Sequence, residues 1–264
     1  MKPYIQGFVL AIQFFSVFPV KREIPMEQKQ LRGAIISLPW VGIMIGLFPF
    51  MFTWFFLEYT EMSTFGAAGL TMALSIIGSG GIHLDGWMDT SDAYFSYQPK
   101  EKRLAIMEDP RTGAFGVLSV IGLLFLRFIF IYETLNVSFS TFAFGVLAIP
   151  FLARLLLVFH FSWTPLAKEN GLSHWFASAF SKGVLWANLV NFVVLGAAAA
   201  LIDLDLLYKL ALLFLAAGGL YTTSRSIALQ SFGGMTGDVL GASVEGGETF
   251  LWIVLWMSTL FVMG

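Results

Sequence analysis

The chain has no cysteine, three histidines and few charged residues among its 264 positions. Without cysteine it can form no disulfide bond, no zinc–thiolate site and no thiol nucleophile. Charged residues make up 12% of the chain, whereas soluble domains carry about 25%. Hydrophobic residues make up 57%, and the net charge of −2 gives no sign of a nucleic-acid partner. This composition predicts an all-α, polytopic membrane bundle that forms one domain over residues 1–264.

Seven apolar stretches are long enough to cross a bilayer, which takes about 20 helical residues each. They are residues 34–57, 64–82, 113–133, 139–160, 184–202, 208–224 and 249–264. The apolar stretch at 4–18 is too short for a span, so we expect a re-entrant or interfacial segment there. The basic stretch VKREIP follows it, without the small-residue cleavage site of a signal peptide.

Basic residues collect in alternate loops between these stretches. The loops on one side carry Lys21, Arg22, Lys29, Arg32, Lys100, Lys102, Arg103, Arg111, Lys168, Lys182 and Arg225. The positive-inside rule places these loops in the cytoplasm. We therefore expect a multi-pass protein of the inner (cytoplasmic) membrane, in contact with lipid, whose polar loops face the cytoplasm. The sequence leaves the oligomeric state open, a homo-oligomer included.

The stretch GGIHLDGWMDTSDAYFSYQPKEKRLAIMEDPRTGAFG, residues 80–116, places acids at the edge of the bilayer, where carboxylates are costly and need a partner. Asp85, Asp89 and Asp92 are spaced i, i+4, i+7, so a helix stacks them on one face. No basic residue stands at the position that would pair with them. Oxygen ligands alone favour Mg²⁺, Mn²⁺ or Ca²⁺. The alternative is a solvated helix face near the interface.

Other residues of this stretch add to a candidate site. Gly86 lets a backbone or a ligand come close beside the acids. His83 is either a ligand or general base, or a histidine satisfied at a helix end. Pro110 and Gly113 predict a turn before the next helix. In that turn Arg111 either holds a phosphate with two hydrogen bonds or marks the inner side.

A second polar stretch, SRSIALQSFGGMTGDVLGASVEGGETF, covers residues 224–250. Its glycines, Gly237 and Gly241 among them, suit close approach of the backbone to a phosphate, or else helix packing through small residues. Asp238 and Glu245 are spaced i, i+7 and would share one helix face. The stretch is no Walker P-loop, because the Gly-Lys-Ser/Thr is missing.

Two arginines, Arg127 and Arg154, lie within apolar spans. Arginines inside a membrane are expensive and are usually paired or functional. Arg127 has Glu133 as a candidate partner, and Glu133 by itself is explained as an acid that reaches the outer interface.

The blocks HLDGWMDTSDA, IMEDPRTGAFG and GGMTGDVLGA, in this order, resemble the cobalamin synthase (adenosylcobinamide-GDP ribazoletransferase) family. QFFSVFPV and LPWVGIMIG are similar to its N-terminal pattern, and the likeness covers roughly residues 4–255. This chain has Ala93 where the family commonly has glycine, Ala167-Lys168 where it often has Ala-Arg, and Val17 where a basic or polar residue is common. These departures concern loop contacts and leave the aspartates intact.

The resemblance implies an Mg²⁺-assisted phosphoryl transfer. The cobinamide-phosphoryl group of adenosylcobinamide-GDP would pass to α-ribazole or its 5′-phosphate, and GMP would leave. On this interpretation Asp85, Asp89 and Asp109 bind the metal, with Asp238 as a further ligand. Asp92 is the first choice for the general base that takes the proton of the attacking hydroxyl, and His83 is the second.

The remaining candidates are expected to contact the substrates. Arg111 or Arg154 would hold nonbridging phosphate oxygens. The full set of substrate-binding candidates is Gly86, Arg154, Lys168, Arg225, Gly237, Gly241 and Glu245.

Three other functions remain open at this point. A phosphatidyltransferase that uses a CDP-activated lipid shares the metal chemistry, but Asp85-Gly86-Trp87-Met88-Asp89-Thr90 departs from its Asp-Gly-x-x-Ala-Arg pattern. An ion-coupled transporter predicts acids near the bilayer midplane and a repeated, glycine-broken helix pair. A purely structural role leaves the carboxylates unexplained.

Overall fold

The computed structural model describes residues 2–169 and 171–260, and these residues form eleven helices. In chain order they are α1 Pro3–Phe15, α2 Gln28–Tyr59, α3 Thr64–Ser79, α4 Ile82–Phe95, α5 Lys100–Met107, α6 Ala114–Val137, α7 Phe139–Trp163, α8 Leu172–Ser178, α9 Lys182–Ile202, α10 Leu204–Phe232 and α11 Gly237–Leu260. Within the same residues the only extended pairing is an isolated bridge between Leu166 and Met235. The prediction of an all-α protein is confirmed.

Six of the helices in the described part of the chain are long and apolar enough to cross a membrane: α2, α6, α7, α9, α10 and α11. Helices α3 and α4 together make a seventh apolar unit, which is bent by 90° at its middle. The structure therefore agrees with the prediction of a polytopic membrane bundle. Helix α7 is the most enclosed span and forms the centre of the bundle, packed against α2, α10 and α11.

The bend between α3 and α4 depends on two glycines. Gly80 and Gly81 both adopt left-handed backbone angles, with φ of 70° and 71°. Side chains with a Cβ are strained in that region, whereas glycine is not. The turn ends α3 and starts α4 in a new direction, so that the acidic stretch lies across the end of the bundle instead of continuing α3.

The last span begins earlier than the sequence predicts, whereas the N-terminal stretch is too short for a span, as expected. The last span was expected at 249–264, but α11 begins at Gly237, so most of the second polar stretch lies inside a spanning helix. Its glycines and hydroxyls lowered the apparent hydropathy of that segment although the helix continues through them. The N-terminal stretch is the 13-residue helix α1, about 20 Å long at 1.5 Å per residue. That length is short of the roughly 30 Å hydrocarbon core.

Candidate active site

Helices α4 and α11 cross in direct backbone contact, and this crossing assembles the candidate site. A Cβ on Gly86 would lie 2.8 Å from the carbonyl oxygen of Asp238, and one on Gly241 would lie 3.2 Å from the Cα of His83. Any larger residue at Gly86 would separate the two helices. Both glycines thus bring Asp85 and Asp238 to the same place, which is the packing alternative that the sequence left open.

A pair of loops completes the same end of the bundle. The backbone N–H of Met235 donates to the carbonyl of Pro165 at 2.8 Å, and that of Ala167 donates to Met235 at 2.9 Å. This pairing brings Lys168 beside the start of α11. There Lys168 forms an ion pair with Glu108, and both act electrostatically on Asp238.

Three carboxylates converge at the crossing, and we call Asp85, Asp89 and Asp238 the carboxylate site. Asp89 lies within electrostatic range of both others, and Asp85 acts on Asp238. In the described residues none of the three forms an ion pair. Such neighbouring charges repel one another unless a cation lies among them. Within that part of the chain none of the three therefore has an ion-pair partner, although Lys168 acts on Asp238 from a longer distance.

The carboxylate site borders a cavity of about 240 Å³ that is lined by Asp85, Asp238 and His83 together with glycines of α11. His83 is buried, and its Nδ1 has no hydrogen-bond partner in the described part of the chain. Within residues 2–169 and 171–260, no group of three or more His, Asp or Glu side chains is arranged so that it could hold a metal ion. A cation here would therefore need further ligands from water or substrate.

Asp92 accepts hydrogen bonds from the start of α6. Its Oδ2 accepts a hydrogen bond from the backbone N–H of Gly113 at 2.7 Å, and its Oδ1 accepts one from Gly116 at 2.8 Å. These groups belong to the start of α6, where N–H donors lack partners within the helix. A Cβ on either glycine would lie 2.4 Å from the Asp92 carboxylate. Asp92 thus fastens α6 to α4, a contact between distant segments that no local sequence pattern predicts.

Asp109 and Arg111 pair with each other in the exposed loop before α6. Arg111 donates from Nε and Nη2 to the two carboxylate oxygens at 2.9 and 2.6 Å, and its backbone N–H donates at 3.0 Å. These hydrogen bonds hold the pKa of the Asp109 carboxyl at about 2. The structure brings neither residue into the carboxylate site, where both were expected to act.

A second group of charges lies inside the bundle, and we call Arg127, Arg154, Glu245 and Glu248 the buried ion network. Arg127 Nη2 is 2.6 Å from Glu245 Oε2, and its Nη1 is 3.4 Å from Glu248 Oε2. Arg154 pairs with the other oxygen of Glu248. All four side chains are buried, and Arg154 is 1% exposed. Each charge in this network therefore has an opposite charge beside it.

The buried ion network shows that the expected partner of Arg127 was wrong and that two substrate-binding candidates lie away from the carboxylate site. Glu133 is not the partner of Arg127, because α11 presents two glutamates to it from 118 and 121 positions away in the sequence. Arg154 and Glu245, expected to bind substrate, lie in this network. Asp238 and Glu245 share α11, yet only Asp238 borders the carboxylate cavity.

Of the two remaining candidates, only Gly237 borders the carboxylate cavity. Gly237 begins α11 and lines the carboxylate cavity. Arg225 donates to the carbonyl of Trp163 at 3.5 Å and is away from the carboxylates. His160 is a buried polar residue that was not among the candidates; its ring nitrogens contact Thr164 Oγ1 at 3.1 Å and Ser224 Oγ at 3.0 Å. Its i, i+4 spacing to Thr164 was the one available signal.

Comparison with known proteins gives a consistent result. The family of cobalamin-5-phosphate synthases matches residues 7–256. A protein of Geobacillus sp. (strain WCH70) named adenosylcobinamide-GDP ribazoletransferase is 35% identical over the full length of both chains. Proteins with the same name from Geobacillus kaustophilus and Halalkalibacterium halodurans are 37% and 32% identical, over 100% and 99% of each chain. No solved structure matches the chain.

Proposed function

Because the chain belongs to the cobalamin-5-phosphate synthase family, we propose that it transfers the adenosylcobinamide-phosphoryl group of adenosylcobinamide-GDP to α-ribazole or α-ribazole 5′-phosphate. It is an enzyme of the transferase class. A ribose hydroxyl of the acceptor forms a new bond to phosphorus, the bond to the GMP oxygen breaks, and the hydroxyl proton passes to a base. The 5′-oxygen of α-ribazole 5′-phosphate already carries phosphate, so the nucleophile is a ribose hydroxyl that both acceptors keep free.

The observation that carries this proposal is the proximity of Asp85, Asp89 and Asp238, none of which has an ion-pair partner in the described part of the chain. Carboxylate oxygens suit Mg²⁺, which keeps part of its shell for water and substrate phosphates. In the described residues no three of these side chains are placed to hold an ion by themselves, so Mg²⁺ here would take its remaining ligands from water and the diphosphate. When bound, Mg²⁺ would neutralise the diphosphate and the charge that develops on the leaving GMP.

We assign the proton acceptor to His83 in preference to Asp92. His83 borders the same cavity as Asp85 and Asp238, and in the described residues its Nδ1 makes no hydrogen bond. Both carboxylate oxygens of Asp92 accept backbone hydrogen bonds at the start of α6, and Asp92 does not line the cavity. A base must be within hydrogen-bond reach of the proton that it abstracts.

Positive potential near the carboxylates would hold the phosphates. The first turn of α11 starts at Gly237 with backbone N–H groups that have no acceptor within the helix. Anions bind at such helix starts. Lys168, held beside Asp238 through its pair with Glu108, adds a full charge that a phosphate oxygen can share.

We further propose that the site faces the cytoplasm from the inner membrane. The support is the basic character of the loops at this end of the bundle. Because the chain has no cysteine, single cysteines report sidedness on a clean background. Tyr97→Cys should react with an impermeant maleimide in inside-out vesicles only, and Glu61→Cys in right-side-out vesicles only. The reverse pattern would overturn this orientation.

The activity is tested with the full chain purified in detergent and supplied with both substrates. GMP release should require Mg²⁺ and stop with EDTA. Asp238→Asn should lower turnover by about a hundredfold or more, the scale on which one preorganised charge contact acts. The matched control is Glu101→Gln, an exposed acid of α5, which should leave turnover unchanged.

The proton acceptor needs its own comparison. His83→Ala should lower turnover by far more than its change in stability explains, whereas Asp92→Asn should lower both together. Full activity in EDTA would overturn the metal role, and a loss of turnover at an unchanged unfolding temperature in Asp92→Asn would return the base to Asp92.

A further inference from the structure

A second cavity of about 330 Å³ lies on the other side of α4 from the carboxylate site. We call it the aromatic cavity, and it is lined by Trp87, Tyr94 and Phe95 of α4, with Leu156, Leu220 and Ile227 from the spanning helices. Its walls are mainly apolar, and no charged side chain lines it in the described residues. The direct contact of Gly86 with α11 separates it from the carboxylates. The aromatic cavity is therefore distinct from the carboxylate cavity.

The aromatic cavity opens at the outer surface of the bundle. Tyr94 and Phe95 are each 38% exposed, and Ile227 on α10 is 39% exposed. The opening thus lies between the bundle-end helix α4 and the spanning helix α10. In a membrane this position meets lipid near the level where acyl chains join their head groups. An open, apolar cavity at that level is suited to an acyl chain.

Cationic groups of α5 lie beside this opening. Arg103 lies over the ring of Tyr94, with its Cζ 5.5 Å from the ring centroid. Lys100, one turn earlier, reaches α10 and donates to the carbonyl of Leu229 at 3.2 Å. Both charges of α5 therefore lie next to residues of the cavity wall, Arg103 at Tyr94 and Lys100 two positions from Ile227 along α10. Such a pair attracts an anionic phosphate at the membrane surface.

One atom at the entrance lacks a partner. The Nε of Arg103 is buried and has no hydrogen-bond acceptor in the described part of the chain. Buried donors without acceptors are rare and call for an explanation. A phosphate oxygen beside Tyr94 would satisfy this donor and share the guanidinium charge. The cavity, the cations and this donor therefore point to one amphipathic ligand with an anionic head and an apolar tail.

We propose that the aromatic cavity binds an anionic phospholipid, with one acyl chain in the cavity and its phosphate on Arg103 and Lys100. This site is separate from the carboxylate site and its role is to hold α4 against α10 through a lipid. It predicts that the protein prefers phosphatidylglycerol to phosphatidylcholine as a tightly held lipid.

The test is lipid retention by the full-length protein. Protein from nanodiscs of phosphatidylcholine with phosphatidylglycerol is transferred to detergent, and the retained lipid is counted by native mass spectrometry. Wild type should keep one phosphatidylglycerol. Arg103→Gln should weaken its binding about fivefold, the effect of one basic residue near an anionic lipid surface. Lys182→Gln, which removes an exposed charge at the start of α9, is the matched control and should bind as wild type does.

A second variant separates the tail from the head group. Ala242 lines the cavity on α11, and Ala242→Phe should fill it and abolish retention while GMP release persists. Equal retention by wild type, Arg103→Gln and Ala242→Phe would overturn the proposal. So would equal retention of phosphatidylcholine, displacement by millimolar inorganic phosphate, or a dimer that Ala242→Phe dissociates. Loss of GMP release in wild type would instead contradict the proposed function and leave the lipid result valid.

Discussion

The carboxylate site and the buried ion network are both built on α11, yet they treat charge in opposite ways. In the network, two arginines face two glutamates, and every charge has a partner although the site is buried. In the carboxylate site, three acids lie near one another without an ion pair in the described residues, and Lys168 acts on Asp238 only from a longer distance. A membrane protein tolerates internal charges when they are paired. We therefore expect the carboxylate site to bind a ligand and the buried ion network to hold the helices together.

The largest expected effect comes from breaking the network at its shared member. Glu248 contacts both Arg127 and Arg154, so Glu248→Gln leaves two buried arginines with one carboxylate. Removing one partner of a buried pair costs about 3–5 kcal/mol of unfolding free energy. Thermal unfolding in detergent should show this loss. Glu58→Gln, an exposed acid of α2, is the control and should unfold as wild type does. Unchanged stability of Glu248→Gln would mean that the network does not hold the helices.

Next in size is the effect of removing one charge from the carboxylate site. Asp89→Asn relieves repulsion from Asp85 and Asp238, so the unfolding temperature should rise. The same change should lower turnover by about a hundredfold, because a ligand-binding charge is lost. Opposite signs for stability and activity distinguish this site from the network, where both should fall together. A drop in unfolding temperature for Asp89→Asn would contradict the comparison.

A smaller effect is expected at Asp92, which resembles the network in being fully partnered. Asp92→Asn turns an amide donor toward one of two backbone N–H groups, and Gly116→Ala pushes a methyl group into the same carboxylate. Both should lower the unfolding free energy by about 1–3 kcal/mol, the cost of a buried unsatisfied group. Circular dichroism melts of the two should agree.

Turnover measurements can contradict this structural role of Asp92. Both variants should lose activity in proportion to stability, and Gly122→Ala on the same helix should lose neither, since nothing lies within 4 Å of its added Cβ. Abolished turnover in Asp92→Asn with an unchanged melt would instead mark Asp92 as a catalytic base.

The smallest effect is expected at the surface pair of Asp109 and Arg111. Arg111→Ala should barely change the unfolding temperature, because exposed ion pairs contribute little. The pKa of Asp109 should rise from about 2 toward the ordinary value near 4, as NMR titration can measure. Since the carboxyl pKa is lowered in the folded state, any stabilisation is complete above pH 4 and is lost as the pH falls through about 2. A higher KM for adenosylcobinamide-GDP in Arg111→Ala would indicate that this pair also contacts a phosphate of that substrate.

Features that depend on neighbouring residues could be predicted from the sequence, whereas contacts between segments that are distant in the sequence could not. The all-α fold, the i, i+4 spacing of Asp85 and Asp89 within α4 and the turn before α6 are local, and the structure agrees with them. The partner of Arg127 could not be found, because Glu245 lies 118 positions away and only the packing of α6 on α11 joins them. The hydrogen bonds of Asp92 depend likewise on where α6 begins. Roles for the metal ligands and the base stay predictions.

The Gly80–Gly81 turn has a consequence for the membrane itself. It ends α3 after 16 residues, a length of about 24 Å against a hydrocarbon core of roughly 30 Å. A short span is accommodated by local thinning of the bilayer. Helix α4 and its aspartates are attached to that short span, so the depth of the site should follow bilayer thickness. The chain length of the surrounding lipids then becomes a variable that sets how easily polar substrates reach the aspartates.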